Sequence, residues 1–227
     1  LIKEIIETDK KNSDEWYSEL YKKDIGLHGD NPWYSTKYDR SDWELFPVPS
    51  YWSEKLSKRT IGVGWFYKEV EVPESLAGKA AFLNLGRIID SDQAYINGKK
   101  VGSTGYQYPP RWYDVPEGVI KAGKNQIVVR IVGEGGDGGF VSDKIYQLKI
   151  DDYEIDLEGE WQWKLSTELN PKKGSTFIQW KPGGLYNAMI APLLNVSHSG
   201  AIWYQGESNI SRPNEYYDQF PAMIDSW

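Results

Sequence analysis

Apolar and polar positions change their period twice along this chain of 227 residues. At the start, Leu1 to Ile6 is apolar and β-branched enough for a strand or the end of one, and Ser13-Asp14-Glu15 offers an N-cap followed by acidic first-turn positions. Trp16, Tyr17, Leu20 and Tyr21 then recur at helical spacing, which predicts a helix running to a stop at Gly26. Residues 27–41 show no period and are rich in Gly, Asn, Pro, Tyr and Trp, so an irregular connection is expected there.

From Asp42 the pattern shortens to β-rich runs separated by turn residues, the mark of an all-β sandwich or jelly roll. Strands are expected at Trp65 to Val72, Lys79 to Leu85 and Gln93 to Ile96. Asn97-Gly98, which accepts positive φ at both positions, turns the last of these into Lys99 to Gly102. The Val- and Ile-rich run Gln126 to Val132 is the best candidate for a central strand. Gly133 to Gly139 holds five glycines in seven residues and reads as a flexible loop; it lacks Lys, Ser or Thr at phosphate-cradle offsets. Ile145 to Ile150 and Tyr153 to Leu157 form a last hairpin through Asp151-Asp152, with Trp161 and Trp163 alternating on the strand after it. The chain leaves this region through residues 170–174. Asn187 is a candidate cap for a helix over Ala188 to Leu194. A strand from Ala201 then ends in Gln205-Gly206-Glu207-Ser208-Asn209, and Pro213 opens a helix whose apolar face is Tyr216, Phe220, Met223, Ile224 and Trp227.

Composition removes several function classes. A formal charge of -7 and a pI near 5.0 supply no basic field for a phosphate backbone, so no nucleic-acid partner is expected. No apolar run reaches the roughly 20 residues of a membrane helix, so no membrane span is expected. Without cysteine there are no disulfides or thiolate sites, and two histidines, His28 and His198, make a histidine-rich metal site an unpromising reading. Eleven Trp and sixteen Tyr fit either a sugar-handling surface or an aromatic sandwich core.

The abrupt passage from an apolar strand to small and polar residues is how an open α/β sheet delivers side chains to a site beyond its strand ends. Trp203-Tyr204-Gln205-Gly206-Glu207-Ser208-Asn209, preceded by Leu185-Tyr186-Asn187-Ala188-Met189-Ile190-Ala191-Pro192-Leu193, resembles the sialate O-acetylesterase family of SGNH carbohydrate esterases. The middle segment resembles the galactose-binding-like jelly roll that such esterases carry as an insert. The residues carrying that likeness are Gly64-Trp65-Phe66-Tyr67, Asp90 to Gly98 with Val101-Gly102, and Gly123 to Ile127. The implied organisation is a partial SGNH segment and linker at 1–41, the inserted sandwich at 42–165, a linker at 166–182, and a second partial SGNH segment at 183–227. The fold class is mainly β, with incomplete flavodoxin-like α/β flanks.

That resemblance implies removal of O-acetyl groups from sialic acid or a related acetylated sugar through an acyl-serine, without a metal or organic cofactor. It implies a periplasmic or extracellular setting and the remainder of an esterase domain as partner. Gln205 matches the family position whose amide points into the oxyanion hole, and the Gly206 amide is close enough to assist. Glu207 is read as orienting catalytic groups, binding sugar or capping the next helix. Ser208 and Asn209 are candidates for sugar hydroxyls. The family's Gly-Gln-Ser-Asn-like nucleophile block and its Asp-x-x-His-like block have no counterpart here, so the chain is expected to be an internal fragment, inactive by itself. Arg111, beside Trp112 and Tyr113, is a candidate to stack on or clamp a saccharide, or else pairs with a carboxylate inside the sandwich. Asp92 and Asn97 are expected to close turns. The alternative function is a non-catalytic sugar-binding or structural module.

Overall fold

The structure, a computed structural model, describes residues 2–177, 183–197, 199–204 and 206–226. It forms two compact units, Leu1–Thr176 and Phe177–Trp227. In chain order the first contains helix α1 (Ile2–Lys23), β1 (Glu44–Val48), α2 (Trp52–Leu56), β2 (Gly62–Val72), β3 (Ala81–Leu85), β4 (Ile88–Ile89) and β5 (Ser91–Ile96). There follow β6 (Lys99–Thr104), β7 (Trp112–Val115), β8 (Gly123–Gly133), β9 (Gly139–Phe140), β10 (Tyr146–Ile150), β11 (Tyr153–Asp156) and β12 (Gly159–Glu168). One antiparallel sheet has the order β1-β12-β2-β8-β5-β6, a second has β11-β10-β3-β7, and β4 pairs with β9.

Period-two alternation sorts the side chains of the larger sheet into two cores. Phe66, Val70 and Val72 of β2 and Ile127, Val129 and Ile131 of β8 turn inward with Leu83, Leu85, Leu148 and Ile150 of the smaller sheet. Their neighbours Val63, Trp65, Val128 and Val132 face the other way and are covered by Trp16 and Leu20 of α1 and by Trp33 and Trp43 of the connection after it. A strand covered on both faces cannot alternate apolar with polar, which is why Ile127 to Ile131 is apolar but for Arg130. Seven tryptophans, Trp16, Trp33, Trp43, Trp52, Trp65, Trp161 and Trp163, are buried, so most of the aromatic excess is core.

The expected hairpins are present. Asn97 and Gly98 take φ of 51° and 79° between β5 and β6, and Asp151 takes 51° between β10 and β11. Other expectations are corrected. Residues 1–6 were read as a strand, yet Ile2 to Ile6 begin α1; Ile2 and Ile6 are exposed, and no sheet face is there for β-branched side chains to cover. Ser13-Asp14-Glu15 therefore lies mid-helix, where Lys10 pairs with Asp14. Gly26 is not the helix stop. It sits in a short 3-10 turn, Ile25–Leu27, where a Cβ would lie 2.5 Å from Trp65 Nε1.

The glycine run is also tied down rather than loose. Gly133 ends β8, Gly138 accepts a hydrogen bond from the Trp52 amide at 2.9 Å, and Gly136 accepts one from Thr60 at 3.0 Å. Trp112 and Tyr113, which follow Pro109-Pro110 where a loop is expected, lie in β7, because Leu83 and Phe82 of β3 supply the pairing edge that no local pattern reveals.

In the second unit, helix α3 (Pro213–Asp225) starts at the expected proline and continues through Pro221. Tyr216, Phe220 and Met223 are its half-buried positions. The helix expected at 188–194 is a π-helical turn, Tyr186–Ile190, followed by a 3-10 turn, Ala191–Leu193; Pro192 has no N–H with which to continue an α ladder. The strand expected from Ala201 is absent. Residues 201–204 have no regular structure, since a strand needs a pairing neighbour and no strand occurs among the described residues of this unit. Among the described residues of this unit, the expected α/β flank at 183–227 consists of helical turns and α3.

Candidate functional site

The block after Tyr204 turns through Gly206, whose φ of 147° is in the region that favours glycine. Glu207–Asn209 then makes one 3-10 turn, closed by Asn209 N to Gly206 O at 2.9 Å and continued by Arg212 N to Asn209 O at 2.8 Å. The turn is held from α3. Trp203 Nε1 donates to Tyr216 Oη at 3.0 Å, the Trp203 and Phe220 rings lie 5.6 Å apart, and Tyr216 stacks on Phe220 at 5.3 Å. Gly206 packs beside the same Tyr216 ring.

The Gly206 amide donates to Glu207 Oε2 at 3.1 Å. This is a local contact between neighbouring residues, in which a backbone donor on a positive-φ turn meets an anionic oxygen. The exposed Glu207 thus occupies the Gly206 donor with its own carboxylate. Asn209 is half-buried. Gln205 and His198, and the side chain of Ser208, lie outside the described residues. Among the described residues no group of three or more His, Cys, Asp or Glu is gathered to hold a metal ion.

Arg111 is not in this unit, and its guanidinium is not at the surface. It is fully buried, with Nε donating to Asp92 Oδ1 at 2.7 Å and Nη2 to the carbonyls of Ile88 and Asp90 at 2.8 and 2.9 Å, while Nη1 takes Pro109 O. Asp92 Oδ2 accepts from Tyr113 Oη at 2.7 Å. Because β5 and β7 belong to different sheets, this cluster bridges them. Burial pushes the Asp92 carboxyl up, against the Tyr113 hydroxyl and the Arg111 guanidinium, which hold it down. Burial, with the Asp92 charge, pushes the Tyr113 phenol well above its ordinary range. The sugar-clamp expectation for Arg111 is therefore corrected: its donors are consumed by the sandwich, as the ion-pair alternative anticipated. Asp92 does not close a turn either. Asn97 does, with Nδ2 donating to Val119 O and Asn125 Oδ1 and its Oδ1 accepting from Gln126 N.

No family model matches the chain. A Formosa agariphila protein provisionally named a β-glucuronidase is 30% identical over 115 residues, covering 45% of this chain and 11% of that protein. A sialate O-acetylesterase of Pongo abelii is 52% identical over 63 residues, covering 25% and 12%, and that of Homo sapiens is 52% identical over 44 residues, covering 19% and 8%. Both names belong to carbohydrate-active enzymes. The chain spans about a tenth of the length of these relatives. Among solved structures, a Bacteroides uniformis β-glucuronidase is similar at 20% identity and a TM-score of 0.40, over 57% of this chain and 15% of that one. A Ruminococcus gnavus β-glucuronidase matches at 20% identity and 0.37, over 53% and 24%.

The cluster that sequence reasoning missed is at Asp24. This carboxylate is fully buried and accepts from Arg130 Nε at 2.7 Å, Trp65 Nε1 at 3.0 Å, Ser166 Oγ and Gly26 N. The one signal for it was a lone arginine inside the otherwise apolar run of β8, which demands a buried partner.

Proposed function

We propose that this chain is a piece of a carbohydrate O-acetylesterase, with residues 203–209 forming the oxyanion-stabilising side of a serine esterase site. The observation that carries this reading is the Gly206 amide holding a carboxylate oxygen on a positive-φ turn braced by Trp203, Tyr216 and Phe220. The 52% identity to sialate O-acetylesterases over short stretches supports it. The substrate class is an acetylated sugar, sialic acid or a relative, and the setting periplasmic or extracellular. Gln205 supplies a side-chain donor beside Gly206. Ser208 and Asn209 take sugar hydroxyls. The nucleophilic serine and its histidine base come from the remainder of the esterase.

The test uses a polypeptide that carries this chain together with those two blocks. Gln205→Ala is expected to lower kcat for acetyl-ester hydrolysis by about a hundredfold or more with KM little changed, as for loss of one oxyanion donor. The 227-residue chain by itself is expected to give no turnover and no label with a serine-directed phosphonate. Full activity in Gln205→Ala would overturn the assignment.

The second reading is a non-catalytic sandwich module. It is favoured by the separate double core of the first unit and by the match to a β-glucuronidase relative. It is tested by whether residues outside 203–209 bind sugar.

A further inference from the structure

Tyr216 stands in the first turn of α3, which Pro213 opens with its fixed φ and missing N–H. The hydroxyl end of its ring meets the 203–209 block at two points. Tyr216 Oη accepts from Trp203 Nε1 at 3.0 Å. A Cβ on Gly206 would lie 3.6 Å from Tyr216 Cζ and 3.7 Å from its Oη, so the same end of the phenol packs against the Gly206 backbone. One side chain of α3 thus touches the block at its start and at its turn. The ring is itself held, because Phe220, one helical turn further on, stacks on it at 5.3 Å with 12° between the planes. The Trp203 ring closes the group at 5.6 Å from Phe220.

These three rings do not form a core. Tyr216 and Phe220 are half-buried, Trp203 is 40% exposed, and none of the described residues of this unit is buried. With so little area removed from water, what the rings supply is direction rather than enclosure. Gly206, at a φ of 147°, has no Cβ to limit its rotation, and the tip of Tyr216 fills the space beside it. A backbone donor stabilises a developing oxyanion only when it is aimed beforehand, and that aim is set by the residues packed behind it. We propose that Tyr216 is a positioning residue of this site, its hydroxyl setting the direction of the Gly206 amide while Phe220 and Trp203 fix the ring. The proposal rests on the esterase reading and adds to it a residue outside 203–209. Tyr217, the next residue of α3, is 79% exposed and takes no part in these contacts, so it serves as a control for the helix.

The test uses the polypeptide that carries this chain together with the nucleophile and histidine blocks, with Gln205→Ala measured alongside. Tyr216→Phe keeps the ring and loses the hydrogen bond, and is expected to lower kcat for acetyl-ester hydrolysis about fivefold with KM unchanged. Tyr216→Ala is expected to lower kcat by about a hundredfold, as for loss of an oxyanion donor. Partial rescue by phenylalanine and a loss confined to kcat separate aiming from substrate binding and from general loss of structure. Tyr217→Phe is expected to keep full kcat. The double variant Gln205→Ala with Tyr216→Ala is expected to lose clearly less than the product of the two single losses, because Tyr216 acts through the block to which Gln205 belongs. Should Tyr216→Ala fail to fold, Tyr216→Phe at an unchanged melting temperature carries the test. Full kcat in the folded Tyr216 variants, with Gln205→Ala impaired, would overturn this proposal and leave the esterase reading standing. Full activity in Gln205→Ala would overturn both. A rise in KM alone, an equal loss in Tyr217→Phe, or a double variant that loses the full product would also overturn the positioning role.

Discussion

Trp52 is enclosed by glycines brought from three places in the chain. A Cβ at Gly64, Gly133 or Gly138 would come within 2.7, 2.4 and 2.3 Å of its ring, and its Nε1 donates to Thr60 O at 3.0 Å. The ring is rigid and fully buried, so relief has to come from the backbone. Gly138→Ala is therefore expected to cost about 1–3 kcal/mol, read as a lower denaturant midpoint with an unchanged slope. Tyr95 gives a pH-dependent expectation at the same scale. Burial, the main cause, pushes its phenol from 10.0 up to about 12. A raised phenol pKa favours the neutral form in the folded state, so this contribution is complete below pH 10 and is lost as pH rises towards about 12. Its size is about 3 kcal/mol, an upper figure. Tyr95→Phe is expected to flatten the fall in stability over that interval; an alkaline titration by circular dichroism, identical in slope for the two proteins, would count against it.

At the scale of elements, α1 and the aromatic connection after it are joined to the sheet by one charged centre and a ring cluster. Asp24 gathers Arg130, Trp65 and Ser166, and Arg40 pins the connection by donating to the carbonyls of Trp33, Ser35 and Tyr38 while lying 4.4 Å from the Tyr67 ring centre. Removing one member of a buried pair leaves the other charge stranded. Asp24→Ala is expected to destabilise by about 3–5 kcal/mol and to raise amide exchange in α1 before that in β2 and β8. Equal loss of protection in helix and sheet would show instead that the two form a single cooperative unit. The Asp92, Arg111 and Tyr113 cluster does for the two sheets what Asp24 does for the helix. The arginine was legible as a functional or paired residue, but its partner, 19 positions earlier on another sheet, was not.

At the scale of the whole molecule, the first unit encloses two cores, whereas none of the described residues of the second is buried. Ile202, Tyr204, Ile210 and Tyr217 are more than three-quarters exposed there. A polypeptide ending at Thr176 is accordingly expected to keep the melting temperature of the main transition, because every core contact of the sandwich lies within it. A clear drop on calorimetric comparison would mean that residues 177–227 contribute to that core.

Local pattern was sufficient where an element is specified by its own side chains and turns. The hairpin at Asn97-Gly98, the central run of β8, the alternating Trp161 and Trp163 and the start of α3 at Pro213 were all readable, because turn φ values and period-two burial are properties of adjacent residues. The Gln205 to Asn209 block was legible only through resemblance, and its fine chemistry stands as a proposal. Tertiary structure alone decided that residues 2–6 are helix, that 112–115 pair as an edge strand, that the glycine run wraps Trp52, and that Arg111 is consumed internally. In the last three of these the deciding partner is distant along the chain, and a backbone group or a buried charge takes whatever partner the packed fold provides rather than the one its neighbours suggest; residues 2–6 are helical because no strand pairs with them and they extend the turns of α1.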